Sequence, residues 1–104
     1  MNARIVLTTA ESKAQAQQIA RALVERRLAA CVNIVGPMES VYRWKDKVET
    51  AEEWLLLVKT TDRASSWVRD AIRQLHSYEL PECIAVAAEG GDAEYLDWIG
   101  QNVD

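Results

Sequence analysis

Cysteine, histidine, proline and glycine are all scarce: the chain carries two Cys, one His, two Pro and four Gly. Two cysteines, Cys31 and Cys83, are too few for a disulfide framework and lack the close spacing of a zinc or iron–sulfur site, so buried free thiols are expected. The one adjacent glycine pair, Gly90-Gly91, is too short to cradle phosphate. No serine sits in a glycine-flanked elbow, and a Cys–His pair would need Cys31 or Cys83 to meet His76 beside an orienting group. No stretch approaches the roughly 18 apolar residues of a membrane span. A basic stripe is missing too. The 12 basic residues are scattered among 16 acidic ones for a net charge of -4, which argues against a nucleic-acid partner because phosphate neutralisation needs clustered Lys and Arg. Met1-Asn2-Ala3-Arg4 passes directly into a strand, so no signal peptide is expected and a cytoplasmic setting is the default.

What is present is enough apolar material for one soluble globular domain over residues 1–104, at 49% hydrophobic and 27% charged. Ile5, Val6 and Leu7 predict a short buried first strand. Ser12 and Gln15 have the form of a capping box, and Ala16, Ile19, Ala20, Leu23 and Val24 recur at helical spacing, predicting a helix from about Ser12 to Leu28. A second strand from Ala30 then makes a βαβ crossover in which the first two strands run parallel.

From Ala30 to Thr61 the chain reads as one long hairpin with a charged tip at Lys45, Asp46 and Lys47. Gly36 and Pro37 interrupt its first strand, which places that strand at an edge. In the return strand, alternation puts Trp54, Leu56 and Val58 on one face and Leu55, Leu57 and Lys59 on the other. Both faces are largely apolar, and helices for only one are available, so the second face predicts burial against other subunits. Thr61 or Asp62 is positioned to cap a second helix whose stripe is Ala64, Trp67, Val68, Ala71, Ile72 and Leu75. Trp54 and Trp67 both fall on the apolar period and are expected in the core. His76 to Glu82 are expected to form a loop, because Pro81 pushes Leu80 out of the helical region; a strand runs from Cys83 to Ala88, and Asp92 caps a terminal helix bearing Leu96, Ile99 and Val103.

The order β-α-β-β-α-β with a terminal helix is an α+β, ferredoxin-like arrangement with strands two and four at opposite edges of an antiparallel sheet. Three strand spacings of about 4.8 Å put those edges roughly 14 Å apart, too far for Cys31 and Cys83 to pair within one subunit.

Ala29-Ala30-Cys31-Val32-Asn33-Ile34, Ser40-Val41-Tyr42-Arg43-Trp44, Glu53 to Thr61, His76-Ser77-Tyr78-Glu79-Leu80-Pro81-Glu82, and Gly91-Asp92 with Tyr95-Leu96-Asp97-Trp98-Ile99, in that order and spacing, resemble the CutA family of divalent-cation tolerance proteins over nearly the whole chain. The resemblance implies a cytoplasmic homotrimer, similar in architecture to the PII signalling proteins, with tolerance to copper and other divalent cations and no secure catalytic activity. Where copper ligands have been proposed in the family, a cysteine and two histidines, this chain has Thr8, Leu75 and His76, and where the hairpin tip commonly has glycine it has Asp46. Asp tolerates a turn with positive φ.

Two sites are therefore expected. A metal, copper or another divalent cation, would call on His76, Cys31 and Cys83, completed across subunits and with Glu82 as a further donor. A ligand cleft between subunits would use Lys59, Tyr78, Glu82, Tyr42 and Trp44, with Lys59 pairing Glu82 or an anionic ligand and the aromatics stacking on it. The function expected is metal or small-ligand binding and sensing. A scaffold for a protein partner, or acid–base chemistry on Glu82, Tyr78 and His76 in the same cleft, are the alternatives.

Overall fold

Ser12 decides where the first strand gives way to helix: its side chain accepts from the Gln15 backbone N–H at 3.1 Å, satisfying one of the free amides of the first turn. In the computed structural model, which describes residues 2–104, the elements are β1 (Ala3–Ala10), α1 (Lys13–Glu25), β2 (Cys31–Trp44), β3 (Lys47–Thr61), α2 (Ser65–Leu75), β4 (Ile84–Ala87) and α3 (Ala93–Gln101). The sheet order is β2-β3-β1-β4 with every neighbouring pair antiparallel. β1 and β2 consequently point the same way with β3 between them, and β2 and β4 form the edges.

The first helix stops earlier than its apolar spacing predicts. Arg27 takes φ 58°, its N–H bonds Val24 O at 3.0 Å, and Leu28 N–H bonds Leu23 O at 2.9 Å. This is the paired 6→1 and 5→2 closure of a Schellman motif, achieved without glycine. Leu28 still packs on the core, but from beyond the helix.

Val6, Ala10, Leu56 and Val58 from the sheet meet Ala16, Ile19 and Leu23 of α1 and Val68, Ala71 and Ile72 of α2, all buried, in the main core. Thr8 points into the same layer, and among the described residues its Oγ1 is the one buried side-chain polar atom without a hydrogen-bond partner. Trp54 packs against this core, whereas Trp67 is 51% exposed, so the expectation of a core Trp67 is corrected. The narrower arc of Val68, Ala71 and Ile72 faces the sheet, and Trp67 lies just off it. The α2 cap differs as well: Ala64 is the N-cap, with its N–H bonded to Thr61 Oγ1 at 3.3 Å, while Asp62 Oδ1 accepts from the Asn2 and Arg63 backbones.

The hairpin closes through Lys45 (φ 49°) and Asp46 (φ 65°), both left-handed, between the paired Trp44 and Lys47. Two left-handed central residues make the turn that matches the natural strand twist. Gly36 and Pro37 form an irregularity between Val35 and Met38 on the edge strand, where a missing amide donor costs no ladder bond. Gly36 lies against the Trp54 indole so closely that a Cβ there would come within 2.5 Å of it.

The other sheet face is different. α3, capped by Asp92 through the Tyr95 N–H, covers one end by packing Ile99 and Val103 with Ala3 and Ala64. The remainder carries Ile5, Leu7, Leu55 and Leu57 beside Val35, Ile84 and Val86, and the last three are about half exposed (52%, 54% and 45%).

Candidate functional site

At the end of that open face, away from α3, the hairpin and the loop after α2 enclose a groove of about 810 Å³. One wall is the outer part of β2, with Ser40, Tyr42 and Trp44; the other is the stretch from Tyr78 to Ile84, and Thr9 and Glu53 form the floor. Strand alternation explains the floor. Glu53 is in phase with Leu55 and Leu57, and so projects to the open face just beyond the last β1 residue, Ala10, which pairs with Trp54.

Glu53 is only 8% exposed, and its Oε2 accepts from the Tyr78 hydroxyl at 2.7 Å. Burial, and then the hydrogen bond to Glu53 and that residue's charge, hold the Tyr78 hydroxyl protonated well above the ordinary tyrosine range. Glu82, half-buried on the opposite wall, has its carboxyl pushed upward, first by desolvation and then by the Glu53 charge. Cys83 beside it is also raised, chiefly by burial, with Arg69 pulling the other way and Glu82 adding to the rise. Among the described residues, three carboxylates line the groove, Glu53, Glu79 and Glu82, and no Lys or Arg does.

The loop holding Tyr78 is set by His76. Its Nε2 faces the Thr9 carbonyl, and its Nδ1 accepts from the Tyr78 backbone N–H at 3.0 Å, so both ring nitrogens are engaged and the Nε2–H tautomer satisfies both. The imidazole also lies against the Tyr78 ring, centroids 4.6 Å apart. Ser77 extends the same anchor: its hydroxyl donates to Glu11 Oε1 at 2.9 Å and its Oγ lies 3.0 Å from the Gln15 side-chain amide, which spends the Gln15 side chain on the loop rather than on a capping box.

Of the residues expected from sequence, Tyr42, Trp44, Tyr78, Glu82 and Cys83 line this groove, and His76 braces it from behind. Lys59 and Cys31 stand elsewhere. They are cross-strand partners further along the open face, and Lys59 Nζ donates to Tyr95 Oη at 3.2 Å over a ring whose neighbour is Trp98. Within one chain Tyr78 thus meets Glu53, and Lys59 meets α3 rather than Glu82. Cys31 and Cys83 are free and only partly buried: Cys31 opens the edge strand β2, and Cys83 immediately precedes the other edge strand, β4. Among the described residues no three His, Cys, Asp or Glu side chains converge as a metal cluster. Glu53 and Thr9 were missed as site residues, although the alternation through Leu55 and Leu57 already places Glu53 on the open face.

Comparison with known proteins gives a consistent picture. Residues 4–102 match the family described as CutA1 divalent ion tolerance protein. The divalent-cation tolerance protein CutA of Thermus thermophilus is 48% identical over 98 residues, covering 94% of this chain and 95% of that protein. Human protein CutA is 42% identical over 89% of this chain, which spans about half (52%) of the human protein's length. Among solved structures, the T. thermophilus protein superposes with a TM-score of 0.96 at 46% identity, covering 98% of this chain and 99% of that one. The Archaeoglobus fulgidus protein, described as periplasmic, superposes at 0.95 with 40% identity, covering 98% and 99%. No helix among the described residues is long and apolar enough to cross a membrane. With the ferredoxin-like order, the long hairpin and the matched span of residues 4–102 all in agreement, the chain belongs to the CutA1 divalent ion tolerance family.

Proposed function

We propose that this chain acts as a homotrimeric binding or sensing protein that captures a cation in grooves lying where subunits meet. The observation that carries the reading is the open sheet face: Val35, Ile84 and Val86 lie about half exposed beside Leu55 and Leu57, and the face runs into the groove floored by Glu53. Exposed apolar area of this kind is stabilised by covering it, at roughly 25 cal/mol for each Å² removed from water. The hairpin adds to it, since Val41 and Val48 are exposed on strands that extend past the core. A groove lined by Glu53, Glu79 and Glu82 favours a positive ligand over a negative one. A cytoplasmic setting fits two unpaired thiols.

Sedimentation velocity of the metal-stripped protein tests the assembly, with three chains per particle expected. Thermal unfolding with Cu(II), Cu(I), Zn(II) or organic cations, set against matched anions, tests capture. A ligand that binds only the folded state adds about 2.7 kcal/mol at a hundredfold excess over its Kd. A monomer overturns the assembly, and no saturable stabilisation by any cation overturns the capture.

A further inference from the structure

Glu53 is the most enclosed carboxylate of the groove. It is 8% exposed, it accepts one hydrogen bond on Oε2 from Tyr78, and among the described residues no ion pair includes it. The nearby Glu82 places a second carboxylate beside it, like charge against like. A positive charge entering the groove would meet both carboxylates at once.

The walls say what kind. Tyr42 and Trp44 present partly exposed rings from the hairpin, and Tyr78 presents a third from the opposite side. Aromatic faces attract an organic cation through their quadrupole and its carbon body through apolar burial. A bare divalent ion uses neither, and demands several ligand atoms held together, whereas no three-residue cluster of ligand side chains exists among the described residues. A groove of about 810 Å³ also matches a small organic molecule in size.

We propose that the groove binds a small organic amine, its ammonium group held by the Glu53 and Glu82 carboxylates and its carbon body lying against Tyr42, Trp44 and Tyr78. This rests on the cation-capture reading above and names the ligand class. Tyr78 acts as the positioning residue: its hydroxyl occupies one Glu53 oxygen and leaves the other for the ligand.

The test is calorimetric titration of the assembled protein with three probes of one shape: phenethylammonium, 2-phenylethanol and 3-phenylpropionate. Saturable binding of the ammonium alone is expected, weakened about tenfold or more by Glu53→Gln, as for loss of a hydrogen bond to a charged group. Trp44→Ala should weaken it about threefold or more through the lost ring face. If Glu53→Gln does not fold, Glu82→Gln on the half-buried loop takes its place with the same expected loss. Equal binding of all three probes overturns the proposal, because the groove is then merely apolar. Binding of Cu(II) or Zn(II) lost in Glu53→Gln, with no binding of phenethylammonium, also overturns it but leaves cation capture standing. If no amine binds and Glu53→Gln converts the assembly to monomers, the counter-charge is a side chain of a second copy and the proposal fails. A monomeric wild-type protein that still binds the ammonium supports the amine site while removing the trimer.

Discussion

The Tyr78 hydroxyl donates to the Glu53 carboxylate across 2.7 Å, tying the loop after α2 to the base of the long hairpin. Removing the hydroxyl by Tyr78→Phe is expected to cost about 1.5–3 kcal/mol, the range for a hydrogen bond to a charged group. Urea unfolding at one fixed protein concentration checks this, since the stability of an oligomer depends on concentration. A cost below about 0.5 kcal/mol, within the range of an ordinary surface substitution, would show that the bond contributes little.

Thr8→Val is expected to be neutral or stabilising by up to about 1 kcal/mol. The Thr8 hydroxyl is buried in the layer between sheet and helices without a partner, so replacing it by a methyl group removes a desolvation cost and keeps the shape. The same unfolding measurement reads the sign.

Gly36→Ala is expected to destabilise by about 1–3 kcal/mol. An added Cβ would meet the Trp54 indole at 2.5 Å, and that indole packs on the main core, so the ring or the edge strand must shift. Red-shifted tryptophan emission in the variant would report the indole moving toward solvent.

Glu82 predicts a dependence of stability on pH. Its carboxyl is raised in the folded chain by desolvation and by the Glu53 charge. Between the ordinary glutamate range and the raised folded value, the unfolded chain has lost a proton that the folded chain still holds, so stability falls as pH rises through that window. Glu82→Gln should flatten this part of the profile in denaturant midpoints measured across mildly acidic pH. An unchanged slope would assign the dependence to another group.

Much of the architecture was legible from local patterns. Ser12 and Asp92 cap α1 and α3 as expected from their positions, because a cap needs only a side-chain oxygen and the amide three residues on. Pro37 marked an edge strand because proline supplies no ladder donor, and β2 is that edge. Apolar spacing and structure part company where neighbouring elements choose among equivalent apolar residues. Leu28 continues the apolar period of α1, but the chain reaches the core there through the Schellman closure at Arg27 instead. Trp67 lies on the α2 stripe, yet the sheet accommodates a narrower arc than the stripe offers.

The two-faced character of β3 follows from residue order alone, since side chains alternate across a strand whatever surrounds it, and with it the placing of Glu53 and Lys59 on the open face. The family motifs are local as well. Tertiary structure alone decided which of these residues meet. Glu53 finds Tyr78, 25 residues away, because His76 pins the loop to the end of β1, while Lys59 turns to Tyr95 because α3 folds over its end of the same face. Pairings of that kind depend on where separate elements come to rest against one another, and no spacing along the chain encodes that position.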